Sequence, residues 1–383
     1  MKHLSIDIES YSSVDISKAG AHKYAESEDF EVLLFAYKED AQPTKVVDLV
    51  SGEKIPAHIV SALSDASVIK HAYNAAFEWI CLNKAGYSTP IEQWRCTMIH
   101  GLYCGYPAGL EAIGKAIGLP EDKQKLSTGK ALINYFCKPC KPTKSNGNRS
   151  RNLPKHAPDK WELFKDYNAR DVEAESGILK KLEPYPVPEA TWAAWVEDIN
   201  INSRGVAIDD RLVKGALVID DMSTAELLDA AKTITGLSNP NSNAQLLKWV
   251  KSQGIEVDNL RKETVSYLLD GELPENVRAA LELRQKLGKS SVSKYKAMAE
   301  ARGEDGRVRG LLQFYGANRT GRWAGRLVQV QNLPRNYIKT LDEARELVRA
   351  ANYRGLKLIY GNVPDTLSQL IRTAFIPAQG KQF

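Results

Sequence analysis

The sequence has no apolar run approaching the roughly 18 residues needed to cross a bilayer. Its first ten residues, MKHLSIDIES, also lack the apolar stretch of a secretory signal. Neither a membrane span nor export is expected, and the default location is cytoplasmic. Cysteine is sparse: Cys81, Cys96, Cys104, Cys137 and Cys140 form no even framework, which points to reduced thiols rather than structural disulfides. Charge of one sign is missing as well, since 52 Lys and Arg face 47 Asp and Glu. No internal repeat is visible. Apolar residues, by contrast, make up 43% of 383, enough for cores in two or three domains.

The small net charge of +5 is unevenly spread. Between Lys138 and Lys160 stand seven basic residues (Lys138, Lys141, Lys144, Arg149, Arg151, Lys155 and Lys160) against one acid, Asp159. Pro, Asn, Ser and Gly fill the gaps, so the stretch reads as a mobile loop with a positive field, suited to a phosphate backbone or to plain solvation. Its CKPC pair has no second pair and only His156 nearby, which makes a zinc site a minor reading.

Periodicity predicts strands over 3–8, 31–38 and 44–49, a helix over 57–63, a strand in SVIKH, and a helix in NAAFEWICLNKAG closed by Gly86. Short helices follow over 97–103, 109–117 and 127–136. A long helix is predicted over 158–182 and is stopped by Pro184, Pro186 and Pro188, a cluster that marks the first expected domain boundary. Beyond it the chain reads as mainly helical: TWAAWVEDINI, a short strand GVAID, then 210–233. SNAQLLKWV opens on a capping box from Ser242 to Gln245, the longest helical run spans 274–300 up to the turn GEDG, and PDTLSQLIRTAF forms the last helix.

Within IDIES, strand alternation puts Ile6 and Ile8 on one side and Asp7 with Glu9 on the other. Two neighbouring carboxylates on a largely buried strand call for protonation, hydrogen bonds or a cation, because ions lose hydration on burial. The bland alternative leaves Glu9 in water at the strand end, with Asp7 capping a turn. On the long helix, YNARDVEAE spaces Tyr167 and Asp171 by one turn, so phenol and carboxylate share a face. NAAFE places Asn74 at an N-cap and Glu78 in the first helical turn, where a carboxylate also complements the helix dipole.

IDIES, NAAFE and YNARDVEAE together resemble the three exonuclease motifs of the DEDD superfamily, tyrosine variant, as found in the proofreading domain of family A DNA polymerases. INSRGVAID, NPNSNAQLLKWV and DGRVRGLLQFYGANRTGRWAGRLVQVQNLPR extend the resemblance along the chain. The last contains T-G-R and Q-N-x-P elements at Thr320, Gly321, Arg322 and Gln331, Asn332, Pro334. The resemblance implies an α/β fold: a ribonuclease H-like 3′–5′ exonuclease domain over 1–185, a mainly helical thumb over 186–302, and an incomplete α+β palm over 303–383.

It further implies catalysis by Asp7, Glu9, Glu78, Tyr167 and Asp171, the four carboxylates holding two Mg²⁺ or Mn²⁺ ions and Tyr167 orienting the attacking water. Asn74, Phe77, Arg319, Thr320, Arg322, Gln331 and Asn332 are the implied DNA contacts. The family's usual Asp is replaced by Glu78, one methylene longer, and the family's P-N pair is replaced by Val328 and Gln329. The chain is expected to stop before the polymerase acids, as the first part of a phage-like family A DNA polymerase. Implied partners are a single-stranded 3′ end, a primer-template duplex and a second polypeptide carrying the remaining palm and fingers; the cell would be bacterial or phage-infected. Two other readings stand beside this one: a non-catalytic DNA-gripping half of a split polymerase, and a stand-alone RNA-trimming nuclease.

Overall fold

The computed structural model describes residues 1–120, 129–289, 292–377 and 380–381. The chain divides into two compact units: residues 1–205 with 301–305 and 309–329, and residues 206–300 with 306–308 and 330–383.

The first unit opens with β1 (His3–Tyr11), α1 (Ile16–Ala25), β2 (Glu31–Glu39) and β3 (Lys45–Asp48). Next come α2 (Ala57–Ser64), β4 (Ile69–Ala72), α3 (Ala75–Lys84), β5 (Trp94–Cys96), α4 (Thr97–Tyr103) and α5 (Leu110–Ala116). α6 (Gly129–Phe136), α7 (Pro158–Leu182) and α8 (Glu189–Arg204) complete its continuous part. Five strands form one sheet in the order β3-β2-β1-β4-β5. The β1–β2 and β2–β3 pairs are antiparallel, whereas β4 and β5 run parallel to β1, a mixed α/β arrangement in keeping with the ribonuclease H-like expectation.

Alternation along β1 and β2 builds a core on each side of this sheet. Leu4, Ile6 and Ile8 bury against Phe35, Ile59, Leu63 and Leu82 on one face. Leu34, the register partner of Glu9, lies in a second cluster with Phe136, Trp161, Phe164 and Tyr167, contributed by α6 and α7.

The second unit begins with β6 (Val206–Ile208) and α9 (Asp210–Thr235), followed by α10 (Asn243–Ser252), α11 (Lys262–Asp270), α12 (Glu275–Leu287) and most of α13 (Ser293–Ala301). After β7 (Arg307–Val308), the hairpin of β8 (Leu312–Ala317) and β9 (Arg322–Gly325) returns to the first unit. α14 (Leu341–Arg349), α15 (Tyr353–Tyr360), α16 (Val363–Leu370) and β10 (Phe375–Ile376) belong to the second. Asp209 caps α9 by accepting from the Leu212 N–H at 3.0 Å, and its carboxylate pairs with Arg345 and Arg349. α9 and α14 approach so closely that a Cβ on Gly215 would lie 1.8 Å from the Val348 carbonyl oxygen. The small sheet β10-β6-β7 closes this unit.

Several expectations need correction. Pro184, Pro186 and Pro188 end α7; α8 follows within the same compact unit, which runs to Gly205, with Trp192, Trp195 and Ile199 buried in the first core. The predicted run over 274–300 is two helices, α12 and α13, with Gly288 following the first. Residues 127 and 128 of the predicted 127–136 helix lie outside the described residues. The Ser242 box is half formed: its hydroxyl accepts from the Gln245 N–H, while the Gln245 side chain turns to the Asn239 N–H at 3.3 Å. The Lys138–Lys160 stretch is tied by its own hydrogen bonds, including Cys140 N–H to the Ser150 carbonyl at 2.8 Å and Asn146 Nδ2 to the Lys141 carbonyl at 2.9 Å. No helix among the described residues is long and apolar enough to cross a membrane.

Candidate active site

β4 pairs with β1 only through His3, Leu4 and Ser5. Beyond Ser5 the β4 side of β1 is open, and the chain leaving β4 turns through Asn74 into α3. Asp7 and Glu9 therefore stand at the carboxyl end of a central strand, in the crevice that open α/β sheets offer to ligands. A register shift between Glu9 and Ser10 bends β1 at this point. α7 lies across the same face of the sheet and turns Tyr167, Asn168 and Asp171 toward it.

The five residues read as catalytic gather in one region. Glu78, in the first turn of α3, is fully buried, and its carboxyl is pushed well above the usual range by burial first and then by the charges of Asp7, Asp171 and Glu175. Tyr167 is 1% exposed; burial raises its phenol, with Asp171, Glu9 and Asp7 adding to the rise, and its hydroxyl donates to Asp171. Asn168 Nδ2 donates to Asp7 at both the backbone carbonyl (3.2 Å) and Oδ2 (2.6 Å). The Cys137 thiol, raised by burial and by Glu9, donates to Glu9 Oε2 with a sulfur–oxygen distance of 3.7 Å.

The donor set suits a hard divalent ion. Its ligands are all carboxylates, and Glu78 Oε2 is buried with no hydrogen-bond partner among the described residues, a lone pair that a cation would satisfy. As placed, however, no three acidic, thiol or imidazole groups among the described residues form a metal-holding cluster. In this arrangement Asp7, Glu9 and Asp171 are each engaged by a neutral donor. In CKPC, Cys137 turns to Glu9 and Cys140 Sγ donates to the Arg149 carbonyl at 3.4 Å.

A cavity of about 410 Å³ opens beside Glu9, walled by Ile8, Ser10, Ser12, Tyr24, Phe77, Ile133 and Lys138 among others. Phe77 and Tyr24 stand with ring centroids 6.1 Å apart. Asn74 is exposed at the N-cap of α3 and makes no side-chain cap bond. Arg319 and Thr320 lie exposed in the β8–β9 turn, with Arg322 exposed at the start of β9. That hairpin is seated in the first unit by Phe314 in the core, by Trp323 Nε1 donating to Asp198 at 2.7 Å, and by Asn202 bonding both backbone groups of Leu312. Gln331 and Asn332 are exposed in a short turn of the second unit.

Sequence reasoning missed Glu175, one turn beyond Asp171 and fully buried. Its carboxyl is raised to about 7 by burial, against hydrogen bonds from Thr97 and Ser5. The spacing of Tyr167, Asp171 and Glu175 on one helical stripe was the available signal. Asn168 was missed, and Cys137 and Lys138 were read only within CKPC and the basic stretch, because nothing local ties them to the acids; the fold brings Asn168 to Asp7, Cys137 to Glu9 and Lys138 to the cavity beside it.

No family model matches the chain. A DNA polymerase of Bacillus phage SP02 is 50% identical over 384 residues, covering 100% of this chain and 59% of the relative. The chain thus spans about three-fifths of the length of the curated relative it matches. Among solved structures, the POL domain of Pol1 from M. smegmatis, in complex with DNA primer-template and dNTP, aligns with a TM-score of 0.50 at 15% identity, over 89% of this chain and 53% of that one. Matched from end to end by a half-identical phage DNA polymerase and similar in fold to the POL domain of Pol1, the chain resembles a DNA polymerase over its whole length.

Proposed function

We propose that residues 1–185, within the first unit, form a 3′–5′ exonuclease acting on DNA, in a chain that also supplies the thumb (186–302) and the start of the palm (303–383) of a family A DNA polymerase. The observation carrying this reading is the gathering of Asp7, Glu9, Glu78, Tyr167 and Asp171 at the open carboxyl end of β1. Two Mg²⁺ or Mn²⁺ ions, when bound, would activate water and stabilise the leaving oxygen of a phosphodiester. Asp7, Glu9, Glu78 and Asp171 would hold them. The Tyr167 hydroxyl, fixed against Asp171, orients the water through a hydrogen bond and need not ionise, in keeping with a phenol raised far above neutrality. Phe77 and Tyr24 offer aromatic faces on which the terminal base stacks. In the hairpin, Arg319, Thr320 and Arg322 are exposed for a duplex backbone, as are Gln331 and Asn332 in the second unit.

The test is a single-stranded oligonucleotide labelled at its 5′ end, incubated with Mn²⁺. A ladder shortened from the 3′ end is expected, and neither EDTA nor a 3′-phosphorylated strand should give it. Full-length strand under all conditions, or shortening from the 5′ end, overturns the reading.

A second reading is favoured by one observation: among the described residues no three acidic, thiol or imidazole groups are spaced to hold an ion. On it, the chain grips primer-template for a second polypeptide bearing the polymerase acids, and cleavage is negligible. Duplex binding without hydrolysis, with DNA synthesis only when that polypeptide is added, distinguishes it.

A further inference from the structure

The basic stretch after α6 is absorbed by nothing described so far, and the structure sorts its charges into two groups. Arg151 pairs with Glu31 and lies over the Tyr11 ring at 3.8 Å from its centroid. Arg149 is spent on Asn152 and the Asn146 carbonyl, and Lys160 sits over the Tyr135 ring. These three hold the segment to the first unit. Lys138, Lys141 and Lys144 are exposed and take no carboxylate partner among the described residues. They recur every third residue, so neighbours are separated by at most about 11 Å of chain.

Two features make this more than a solvated charge run. The segment is held in one conformation by its own bonds: Cys140 to Ser150, Asn146 to Lys141 and Thr143, and Asn148 N–H to the Thr143 carbonyl. Its first lysine, Lys138, lines the same 410 Å³ cavity as Glu9, so the first of the three ammonium-bearing residues stands at the candidate site, with Lys141 and Lys144 following three and six residues along the chain. Asp15 also lines that cavity and lies within electrostatic range of Lys138, but forms its ion pair with Lys18.

We infer that Lys138, Lys141 and Lys144 form a track for the phosphodiester backbone of a single strand whose 3′ end enters the cavity beside Glu9. This rests on the exonuclease reading for the identity of the strand. Ammonium groups on a preformed loop neutralise successive phosphates and release their counterions without reading sequence, so the track holds any single strand and weakens as salt rises.

The experiment measures binding of a 5′-fluorescein-labelled oligo-dT 12-mer to the full chain, in EDTA, between 50 and 200 mM NaCl. It compares wild type with the triple variant Lys138→Gln, Lys141→Gln, Lys144→Gln. Three lost phosphate contacts should flatten the slope of log affinity against log salt by about 2. A control variant, Lys180→Gln with Lys181→Gln on the exposed last turn of α7, should leave the slope unchanged. An unchanged slope in the triple variant overturns the track, as does an equal change in the control, which would mean a diffuse field. Hydrolysis is read separately in Mn²⁺: the triple variant should raise KM for the 12-mer while cleaving the p-nitrophenyl ester of thymidine 5′-monophosphate, too short to reach the loop, at the wild-type rate. Equal loss on both substrates also overturns the track. Absence of hydrolysis in the wild type would count against the exonuclease reading alone, because the salt slope is measured without catalysis.

Discussion

Gly129 backs directly onto the ring of Tyr167: a Cβ built at Gly129 would lie 2.0 Å from Cε2 and 2.5 Å from Cζ. The ring has nowhere to retreat, since it is buried and stacked at 11° on Phe164 with centroids 6.1 Å apart. The hydroxyl that bonds Asp171 is thus located by the missing side chain of a residue 38 positions earlier in the sequence. Gly129→Ala is expected to push the phenol off its position. Overpacking should cost about 1–3 kcal/mol of stability, and misplacing a catalytic group by about 1 Å can cost on the order of 100-fold in rate. Urea unfolding together with single-strand hydrolysis checks both; wild-type hydrolysis in a folded Gly129→Ala chain would contradict the assignment of Tyr167.

Glu78→Gln should trade function for stability. The carboxyl is fully buried among Asp7, Asp171 and Glu175, which disfavour its charge. Replacing it by a neutral amide of the same shape relieves that repulsion, so the urea midpoint should rise at pH 8, while hydrolysis in Mn²⁺ should fall at least tenfold. A variant that hydrolyses at the wild-type rate would remove Glu78 from the catalytic set.

Glu175 makes stability depend on pH in a direction opposite to that of paired carboxylates. Its folded value of about 7 lies above the ordinary 4.5, so between those values the native state binds more protons than the unfolded one. Stability should therefore fall as pH rises from about 4.5 to 7, by up to about 3 kcal/mol. Other groups titrate in the same window, His71 among them, so the difference between wild type and Glu175→Gln is the quantity to follow. That difference should shift in favour of the variant from pH 5 to pH 8; a constant difference would contradict the raised carboxyl.

Asp198 fastens the hairpin that presents Arg319 and Arg322. It accepts from Trp323 Nε1 at 2.7 Å and from Asn202 Nδ2 at 3.1 Å. Asp198→Ala removes both bonds and is expected to cost about 1–3 kcal/mol, with weaker duplex binding than the wild type at equal salt. Unchanged stability and duplex affinity would show that Phe314 and the Asn202–Leu312 bonds seat the hairpin without Asp198.

Much of the fold was legible because its signals are local. Alternation in IDIES located β1, the apolar run EVLLFAYK located β2, and the proline cluster located the end of α7. α1, α11, α14 and α15 were missed: none exceeds ten residues, and in α11 and α15 exposed apolar residues, Tyr267 at 80% and Leu358 at 87%, stand off the buried face. β5 has only three residues and was not predicted. At the candidate site, the acids and Tyr167 could be named from three motifs. What holds them could not: Asn168 on Asp7, Cys137 on Glu9 and Gly129 behind Tyr167 are contacts made by the fold, at separations no window along the chain spans.

The central claim is that one cluster at the end of β1 hydrolyses DNA, and Asp7→Ala tests it most directly. Wild type and variant are incubated side by side with a 5′-labelled single strand and Mn²⁺, after circular dichroism has shown that both are folded. The account predicts a 3′-shortened ladder from the wild type and full-length strand from Asp7→Ala. Equal ladders from both would contradict it.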